Sequence, residues 1–385
     1  MPRVLRALLA SAVLIGSPTL PAAVATDSLA GAAAGSAAGG ERYVALGDSA
    51  AAGPIILPLQ PGPLLCMRSA RNFPSVVAAA LGVGSFTDVT CSSATIDDLS
   101  QSQASGVQPQ LDALRSNTTL VTLGPVGAND AELFGTVLGC LVPGCKERAG
   151  TTVHKAIEGI RPKLRAALGS IKRRSPGAAV VVVGYGRYLP AGGCPLVQPF
   201  TASDADYIQG LVNHVNRILR ERAKAAGAVF ADLRRAPGAL DHTICAPVGQ
   251  RWFEGLIPLS GDGAVPFHPT ALGMAAFAEP VASAVQRARQ AQAKVAAEQV
   301  RLTRRCRPSG NVRLRARNVT ALVSRVDFKI GRRTVKRDRS APFKVVVDRR
   351  RLARLPGRMR AVVHATRPGA HATARLVRQR PPCTR

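Results

Sequence analysis

Residues 44–53 read Val-Ala-Leu-Gly-Asp-Ser-Ala-Ala-Ala-Gly, an apolar run that ends on a Gly-Asp-Ser corner ahead of three alanines. The pattern predicts a buried strand that turns sharply into a helix, with Ser49 at the junction. A serine in that position either caps the helix or projects from the carboxyl edge of a sheet, where backbone N–H groups face negative charge on a substrate. In the second case Ser49 is a candidate nucleophile.

Two downstream segments carry further candidate side chains. Residues 120–130 read Leu-Val-Thr-Leu-Gly-Pro-Val-Gly-Ala-Asn-Asp, a strand ending in glycines, so Asn129 either donates from its amide or is an ordinary turn residue. Residues 264–273 place His268 in a turn, and Pro269 and Thr270 indicate that a helix begins there. A histidine ahead of a helix either lies on the surface or accepts a hydroxyl proton near neutral pH.

Taken in chain order, these segments resemble the blocks of the SGNH or GDSL family of serine hydrolases: Gly-Asp-Ser, a glycine after the second strand, Gly-x-Asn-Asp and a late histidine. Residues 66–74 and 89–95 are similar to the cysteine-flanked second block of secreted actinobacterial esterases and lipases. The resemblance spans residues 40–290. It implies Ser49 as nucleophile, His268 as general base, and an oxyanion hole made by the N–H of Ser49, the N–H of Ser93 and the amide of Asn129.

Two positions depart from the family pattern. Ser93 stands where the family has glycine; it keeps the backbone N–H but resists a positive φ. Val265 stands where the family has an aspartate three residues before the histidine. The Nδ1 proton of His268 then goes to the backbone carbonyl of Val265, which we favour, or to Asp262 if the turn folds back. The first arrangement is a Ser-His dyad assisted by a carbonyl.

The resemblance also implies supporting groups. Asp48, Asp130 and Gly127 are expected to shape the loops. No metal or other cofactor is expected, because the eight cysteines of an exported chain fit disulfides better and no Cys-x-x-Cys pair is present. Cysteine order and the family resemblance together suggest four disulfides: Cys66–Cys91, Cys140–Cys145, Cys194–Cys245 and Cys306–Cys383.

The fold class expected for the catalytic region is a three-layer α/β/α, flavodoxin-like domain with a mainly parallel sheet, since its strands are continuous apolar runs. An amphipathic helix is expected over 204–226. The apolar, proline-rich residues 54–65 either line an acyl-chain pocket or pack under the first disulfide. The strands are predicted at Tyr43–Leu46, Asp88–Cys91, Leu120–Leu123, Ala179–Tyr185 and Ala228–Asp232.

The start of the chain has the three parts of a secretory signal peptide. Basic residues precede a short apolar core at 7–15, and Ala23-Val24-Ala25 forms a small-x-small cleavage site. No later stretch is apolar enough for long enough to span a bilayer. We therefore predict a signal peptide at 1–25, a flexible leader at 26–40, and a secreted, extracellular protein that could associate with the cell wall.

The composition changes near residue 300. Residues 301–385 hold 26 Lys and Arg against three acids and so supply +23 of the net charge of +29. Their alternating pattern predicts strands, and residues 327–331, 340–343 and 359–365 resemble a bacterial Ig-like module. The predicted organisation is a hydrolase domain at 41–284, a helical linker at 285–300 and a basic Ig-like β domain at 301–385.

Such dense positive charge predicts attraction to anions, either an anionic cell-wall polymer or a membrane surface, unless it serves solubility alone. Specific nucleic-acid binding is not expected without aromatic interleaving or a recognition motif, and a monomer is expected. Two functions remain open: a secreted serine esterase or lipase acting on acyl esters or lipids, and a surface adhesion protein with an inactive hydrolase domain. Within the enzyme class, carbohydrate acetylesterase and phospholipase are the alternatives.

Overall fold

Five parallel strands form the central sheet of the computed structural model, which describes residues 40–378. The spatial order is β2-β1-β3-β4-β5, and every neighbouring pair is parallel. The order reverses between β1 and β3, and in open α/β sheets ligands bind at that crevice. The predicted three-layer α/β class is confirmed. The strands are β1 (Arg42–Leu46), β2 (Ser85–Asp88), β3 (Leu120–Leu123), β4 (Ala179–Val183) and β5 (Val229–Ala231).

Helices cover both faces of this sheet: α2 packs against α7, and α5 packs against α6. The α-helices are α1 (Ser49–Ala52), α2 (Phe73–Leu81), α3 (Leu133–Gly139), α4 (Cys145–Ala149), α5 (Thr152–Arg174), α6 (Ala202–Ala226) and α7 (Ala271–Glu298). Short 3-10 turns lie at Leu64–Cys66, Asp97–Leu99, Gln110–Ala113 and Leu233–Arg235. Within residues 40–378, no helix has the length and apolar character needed to cross a membrane.

The predicted strand positions differ most at β2. The sequence predicts this strand at 88–91, yet the parallel pairing with β1 begins at Ser85 and ends at Asp88. The apolar residues that follow still donate backbone N–H groups, from Val89 to Ala45 and from Cys91 to Gly47. The ladder is therefore continuous, and its polar first half lies on the sheet edge, where hydrophobicity does not reveal a strand.

Helix α7 joins the parallel-sheet domain to the basic region. Residues 285–298, predicted as part of a linker, are the second half of this single helix, so the predicted boundary at 284 falls inside it. Arg289 on α7 forms a buried ion pair with Glu41, just before β1. Because this pair and several alanines are buried, α7 is a packed element rather than a free tether.

Two antiparallel sheets make up the basic region, in the orders β10-β7-β6 and β12-β11-β8-β9. Their inner faces share one core that includes Leu314, Phe328 and Val363. This arrangement is consistent with the predicted Ig-like sandwich. Its elements are β6 (Arg301–Cys306), β7 (Val312–Arg317), β8 (Val323–Ile330), β9 (Arg333–Asp338), β10 (Lys344–Val347), α8 (Arg349–Ala353), β11 (Met359–Arg367) and β12 (Ala370–Arg378).

The β region contacts the amino edge of the parallel sheet. Arg367 at the end of β11 donates to the carbonyl of Gly177, and Gln292 on α7 donates to the carbonyl of Ala178. Both acceptors directly precede β4. The loops that follow the strands therefore lie at the opposite end of the molecule.

Three of the four predicted disulfides are formed: Cys66–Cys91, Cys140–Cys145 and Cys194–Cys245. The fourth, Cys306–Cys383, remains a prediction because Cys383 lies outside the described residues. The predicted signal peptide at 1–25, and the leader at 26–40 apart from Gly40, also lie outside them.

Candidate active site

Ser49 is the first residue of α1, and a neighbour caps that helix in its place. The side chain of Asp48 accepts the backbone N–H of Ala50 at 2.9 Å, as an N-cap does. The Ser49 hydroxyl is thus left for another contact, and its Oγ lies 2.7 Å from Nε2 of His268. The capping alternative for Ser49 is excluded, and the serine and histidine, 219 residues apart in sequence, are in contact.

The other ring nitrogen of the histidine has a backbone partner. Nδ1 of His268 lies 2.8 Å from the carbonyl oxygen of Pro266. The expected carbonyl, that of Val265, instead accepts the backbone N–H of His268 at 3.1 Å, which closes a tight turn. The prediction of a carbonyl partner is right in kind but wrong in residue, because this turn brings the next carbonyl against the ring.

Asp262, the other candidate partner of the histidine, has a different set of contacts. Its carboxylate accepts the hydroxyl of Ser260 at 2.6 Å and the backbone N–H of Ala264 at 3.0 Å. It also accepts the N–H of Ala271, the first residue of α7, at 2.5 Å. The turn does not bring Asp262 to the imidazole, so this carboxylate orders the loop.

These contacts define the tautomer of the imidazole. A carbonyl oxygen can only accept, so Nδ1 of His268 carries the proton and Nε2 has the lone pair that receives the Ser49 hydroxyl. Burial lowers the pKa of His268 below 6.5, and the hydrogen bond to Pro266 opposes that effect only in part. The ring is therefore neutral near pH 7, as a general base must be.

The histidine loop is pinned by backbone pairing with a buried segment. Glu254 donates its N–H to the carbonyl of His268 at 2.9 Å and accepts the N–H of Phe267 at 3.2 Å. The fully buried Glu254 carboxylate in turn accepts the N–H groups of Leu259 and Ser260. Phe267 has a φ of 58°, a conformation that costs a non-glycine residue roughly 1–2 kcal/mol. Strain at this residue is thus held by the contacts around it.

The predicted oxyanion donors are partly assembled. Asn129 Nδ2 donates one proton to the carbonyl of Ala94 at 2.8 Å, which leaves its second proton available. Within residues 40–378, the backbone N–H groups of Ser49 and Ser93 have no acceptor. Ser93 adopts a φ of 62°, so the serine takes the left-handed conformation that it resists. Gly127 has a φ of 110°, and an added Cβ would lie 3.1 Å from Ile160.

A buried tyrosine joins the nucleophile loop to the amide loop. The Tyr185 hydroxyl donates to Asp48 at 2.5 Å and accepts the N–H of Ala128 at 2.9 Å. Burial raises the pKa of Asp48 to about 7, although both of its hydrogen bonds favour the charged form. Asp130 accepts the N–H of Ile96 and pairs with Lys163 at 3.0 Å. The two aspartates hold loops, as expected, and neither contacts His268.

One largely apolar cavity opens beside the serine and histidine. The loop at 54–65, for which lining this cavity was one of two alternatives, contributes no residue: Ile56 is buried in the main core, and Leu57 and Leu64 are exposed. The loop instead pairs by backbone hydrogen bonds with the residues that follow Cys66, from Ile55 to Met67 and from Gln60 to Arg68, while the buried cluster around Cys66–Cys91 is made with Ala94 and Val107. Apart from the loops of Ser49, Asn129 and His268, the cavity is lined by Leu133, Phe134, Val137, Tyr185, Tyr188, Leu189, Ile208, Val212 and Ile244.

The structure brings Ser49, Asn129 and His268 to the same cavity, while Ser93 is exposed and does not line it, although the carbonyl of its neighbour Ala94 accepts the Asn129 amide. Sequence reasoning missed Pro266 and Tyr185. The absence of an aspartate before the histidine indicated that a backbone carbonyl accepts the Nδ1 proton. Which carbonyl does so, that of Val265 or that of Pro266, depends on the geometry of the turn. Tyr185 had only its place at the end of an apolar run as a signal.

A family model described as the GDSL-like Lipase/Acylhydrolase family matches residues 45–276. The chain belongs to this family. This GDSL hydrolase is 40% identical over 269 residues, 66% of its own length, to 89% of a protein named Lipase 2 from Streptomyces coelicolor. Family membership makes it an ester hydrolase of the esterase or lipase type.

Two solved structures also resemble this GDSL hydrolase. A phospholipase A1 from Streptomyces albidoflavus matches with a TM-score of 0.54 and 26% identity, covering 63% of this chain and 99% of that one. An extracellular lipase from Streptomyces rimosus gives 0.53 and 27%, with the same coverage. The family match ends at residue 276, before the basic β region begins.

Proposed function

We propose that the chain is a secreted serine esterase or lipase that hydrolyses acyl esters with a Ser49–His268 dyad assisted by the Pro266 carbonyl. The observation that carries the proposal is the chain of contacts from Ser49 Oγ to His268 Nε2 at 2.7 Å and from Nδ1 to the Pro266 oxygen at 2.8 Å. This chain lies at an apolar cavity, where an acyl group can be held.

In the acylation step Ser49 Oγ attacks the ester carbonyl carbon, and its proton passes to Nε2 of His268. The imidazolium that forms is held by the Pro266 carbonyl through Nδ1–H. Collapse of the tetrahedral intermediate breaks the bond to the alcohol, which takes the proton from Nε2. Water then attacks the acyl-Ser49 ester with His268 as base, and the carboxylic acid leaves as Ser49 recovers its proton.

The oxyanion of both tetrahedral intermediates is assigned to three donors: the N–H of Ser49, the N–H of Ser93 and the second amide proton of Asn129. The two backbone groups have no acceptor among the described residues, which supports this role. The Tyr185 bridge from Asp48 to Ala128 keeps the nucleophile and amide loops at a fixed separation. Donors fixed in advance are worth more than donors that must reorganise.

The cavity favours acyl chains over small acetyl groups on sugars, because aliphatic and aromatic side chains line most of it. Phospholipids are the second candidate substrate class, and the likeness to a phospholipase A1 favours it. An inactive adhesion protein is disfavoured by the intact contact between Ser49 and His268.

The test is a chain-length series of p-nitrophenyl esters, followed with the wild type and with Ser49→Ala. We expect hydrolysis to improve from acetyl to medium-chain esters in the wild type, and to fall by about 10⁴-fold or more in Ser49→Ala because the nucleophile is lost. Phosphatidylcholine as substrate separates the phospholipase candidate. Undiminished hydrolysis by Ser49→Ala would contradict the proposal, whereas a preference for acetyl esters would contradict only the acyl-chain assignment.

The remaining parts of the chain have proposed roles as well. Residues 1–25 act as the export signal and 26–40 as a leader, which leaves a monomeric extracellular enzyme. The hydrolase domain is taken as 41–284, the linker as 285–300, into which the last helix continues as far as Glu298, and 301–385 as the basic β domain. That domain, with its 26 Lys and Arg, attaches the enzyme to an anionic surface outside the cell.

A further inference from the structure

The outer face of the β10-β7-β6 sheet carries cations that the strand register places side by side. In the antiparallel pairing of β6 with β7, Arg301 lies opposite Arg317 and Arg305 lies opposite Arg313. The residues between them in each strand, such as Leu302 and Leu314, point into the core. We call this set the cationic face: Arg301, Arg305, Arg313, Arg315, Arg317 and Lys344.

The middle of the cationic face also has neighbouring cations. Arg315 on the central strand lies between Thr303 of β6 and Lys344 of β10. Like charges directly opposite each other on neighbouring strands destabilise a sheet. Three neighbouring cation pairs on one face (Arg301–Arg317, Arg305–Arg313 and Arg315–Lys344) are therefore a cost to folding that an anionic ligand would relieve.

No acidic side chain of the basic domain compensates for the cationic face. Asp327 pairs with Arg325 and His364, and Asp338 pairs with Lys336. The third acid, Asp348, caps α8. None of the six side chains forms an ion pair within residues 40–378.

Two members of the face also have unused hydrogen-bond donors. The Nε atoms of Arg313 and Arg315 are buried and have no hydrogen-bond partner in the described part of the chain. Buried donors without partners are uncommon in native proteins and call for an acceptor. The strand register places Arg313 and Arg315 on the outer face, so an anionic ligand bound there would bring acceptors to these guanidinium groups.

We propose that the cationic face binds a flexible, linear polymer of phosphate groups without bases, and this inference rests on the proposed role of the basic domain as an anchor. Neighbouring strands lie about 4.8 Å apart and alternate residues of one strand about 6.8 Å apart, so the cations form a flat grid that a chain of phosphates can follow. No member of the face is aromatic, so it offers no surface on which bases could stack.

The position of the domain favours a polymer over a lipid surface. Helix α7 starts beside the His268 loop and ends at β6, and its 28 residues span about 42 Å. Exposed apolar side chains that suit a lipid substrate lie at the active-site end, such as Phe134 on α3, which lines the cavity, and Leu57 and Ile257 on loops. A membrane held by the opposite end would be out of reach of Ser49, whereas a polymer held there leaves the active site free.

The experiment compares the full chain with two sets of triple variants. Arg305→Gln/Arg313→Gln/Arg315→Gln and Arg301→Gln/Arg317→Gln/Lys344→Gln each remove half of the face. The matched control, Arg332→Gln/Arg333→Gln/Arg339→Gln, removes the same charge from exposed positions in the β8–β9 turn, at the start of β9 and just after β9. Binding to medium-chain sodium polyphosphate, to phosphatidylglycerol vesicles and to duplex DNA is measured by titration calorimetry at several salt concentrations.

For polyphosphate, we expect each face variant to lose at least about tenfold in affinity and to lower the salt slope by about 2, since three phosphate contacts are removed. The control should lose much less, and all variants should hydrolyse a soluble ester like the wild type. Equal losses in the face variants and the control would contradict the cationic face as the binding site, and would mean that the net charge of the whole basic domain binds the polymer. Tighter binding to vesicles or to duplex DNA than to polyphosphate would contradict the assignment of a base-free polymer as the ligand.

Two other outcomes are separable. A wild type that binds none of the three probes would overturn the anchoring role itself, whatever its esterase activity. A wild type that binds polyphosphate through the face but hydrolyses no ester would overturn the catalytic proposal alone. Melting temperatures of all variants identify any that fail to fold, and the second face variant keeps the test decisive if the first does.

Discussion

Charged side chains have fixed partners at the carboxyl edge of the parallel sheet, whereas those of the cationic face have no acidic partner among the described residues. At the sheet edge three acids near Ser49 have fixed partners: Asp48 with Tyr185, Asp130 with Lys163, and Asp262 with the N–H groups of its loop. On the cationic face the six cations face one another without an acid. The first region works through atomic placement, and the second supplies charge for a partner to neutralise.

Catalysis at the sheet edge and binding at the cationic face should therefore respond to different perturbations. Catalysis at the sheet edge should respond strongly to the loss of one group and weakly to salt. Binding at the cationic face should respond to the number of charges and strongly to salt, because released counterions drive it.

After the loss of Ser49 itself, Asn129→Ala should have the greatest effect on the rate. Losing one oxyanion donor should reduce kcat by about 10²–10³-fold with little change in KM, since the donor acts on charge that develops in the transition state. Steady-state kinetics on a soluble p-nitrophenyl ester measure this. The control is Arg305→Gln/Arg313→Gln/Arg315→Gln, which should keep the wild-type kcat. If Asn129→Ala is as active as this control, Asn129 does not bind the oxyanion.

The next effect is the pH dependence of kcat/KM. Burial lowers the pKa of His268, so the neutral ring that accepts the Ser49 proton persists below pH 6.5. Activity should be retained on acidification until the pH passes the lowered pKa, and should then fall about tenfold per pH unit. A profile of kcat/KM from pH 4 to 9 tests this. Half-maximal activity above pH 6.5 would mean that a negative group, and not burial, controls the histidine.

A smaller effect, on stability, is expected from Asp262→Asn. The carboxylate accepts three hydrogen bonds, so the substitution should reduce the free energy of unfolding by about 1–3 kcal/mol. It should leave kcat nearly unchanged, because Asp262 does not contact His268. Urea unfolding and ester kinetics on the same preparation separate the two. A large loss of kcat at unchanged stability would return the third catalytic role to Asp262.

The smallest effect is expected from Ser93→Gly. Relief of the left-handed strain is offset by the greater chain entropy of glycine, so stability should change by less than about 1 kcal/mol. The rate should be unchanged, since the backbone N–H remains. Ser93→Ala, which keeps the Cβ and the strain, is the matched control. A marked loss of kcat in both variants would assign the role to the Ser93 hydroxyl.

Much of the fold could be predicted because buried parallel strands are apolar on both faces, as at Leu120–Leu123, where prediction and structure coincide. The first half of β2 lies on a sheet edge and is polar, so the pattern did not reveal it. The amphipathic face of α6 was predicted, but periodicity cannot tell core-facing residues from those that line a cavity, such as Val212. One of the two alternatives for the apolar loop at 54–65 therefore placed it in the cavity wall, part of which α6 forms instead.

The candidate site divides in the same way. Ser49, Asn129 and His268 became candidates because each follows an apolar strand or precedes a helix, and the family resemblance implied their roles. The partner of His268 Nδ1 depends on how the turn from Val265 to His268 closes. A contact within a single turn produces no periodic pattern in the sequence, so the role of Pro266 could not be predicted. The cationic face needed the register: composition gave the charge, but only the pairing of β6 with β7 puts arginine opposite arginine.

The most direct test of the central claim is covalent labelling with an alkyl fluorophosphonate, followed by peptide mass spectrometry. The dyad predicts one label per chain, on Ser49, with labelling much slower in His268→Ala and unchanged in both Asp262→Asn and Arg305→Gln/Arg313→Gln/Arg315→Gln. Label on another residue, or equally fast labelling of Ser49 in His268→Ala, would contradict the assignment of Ser49 and His268 as the catalytic dyad.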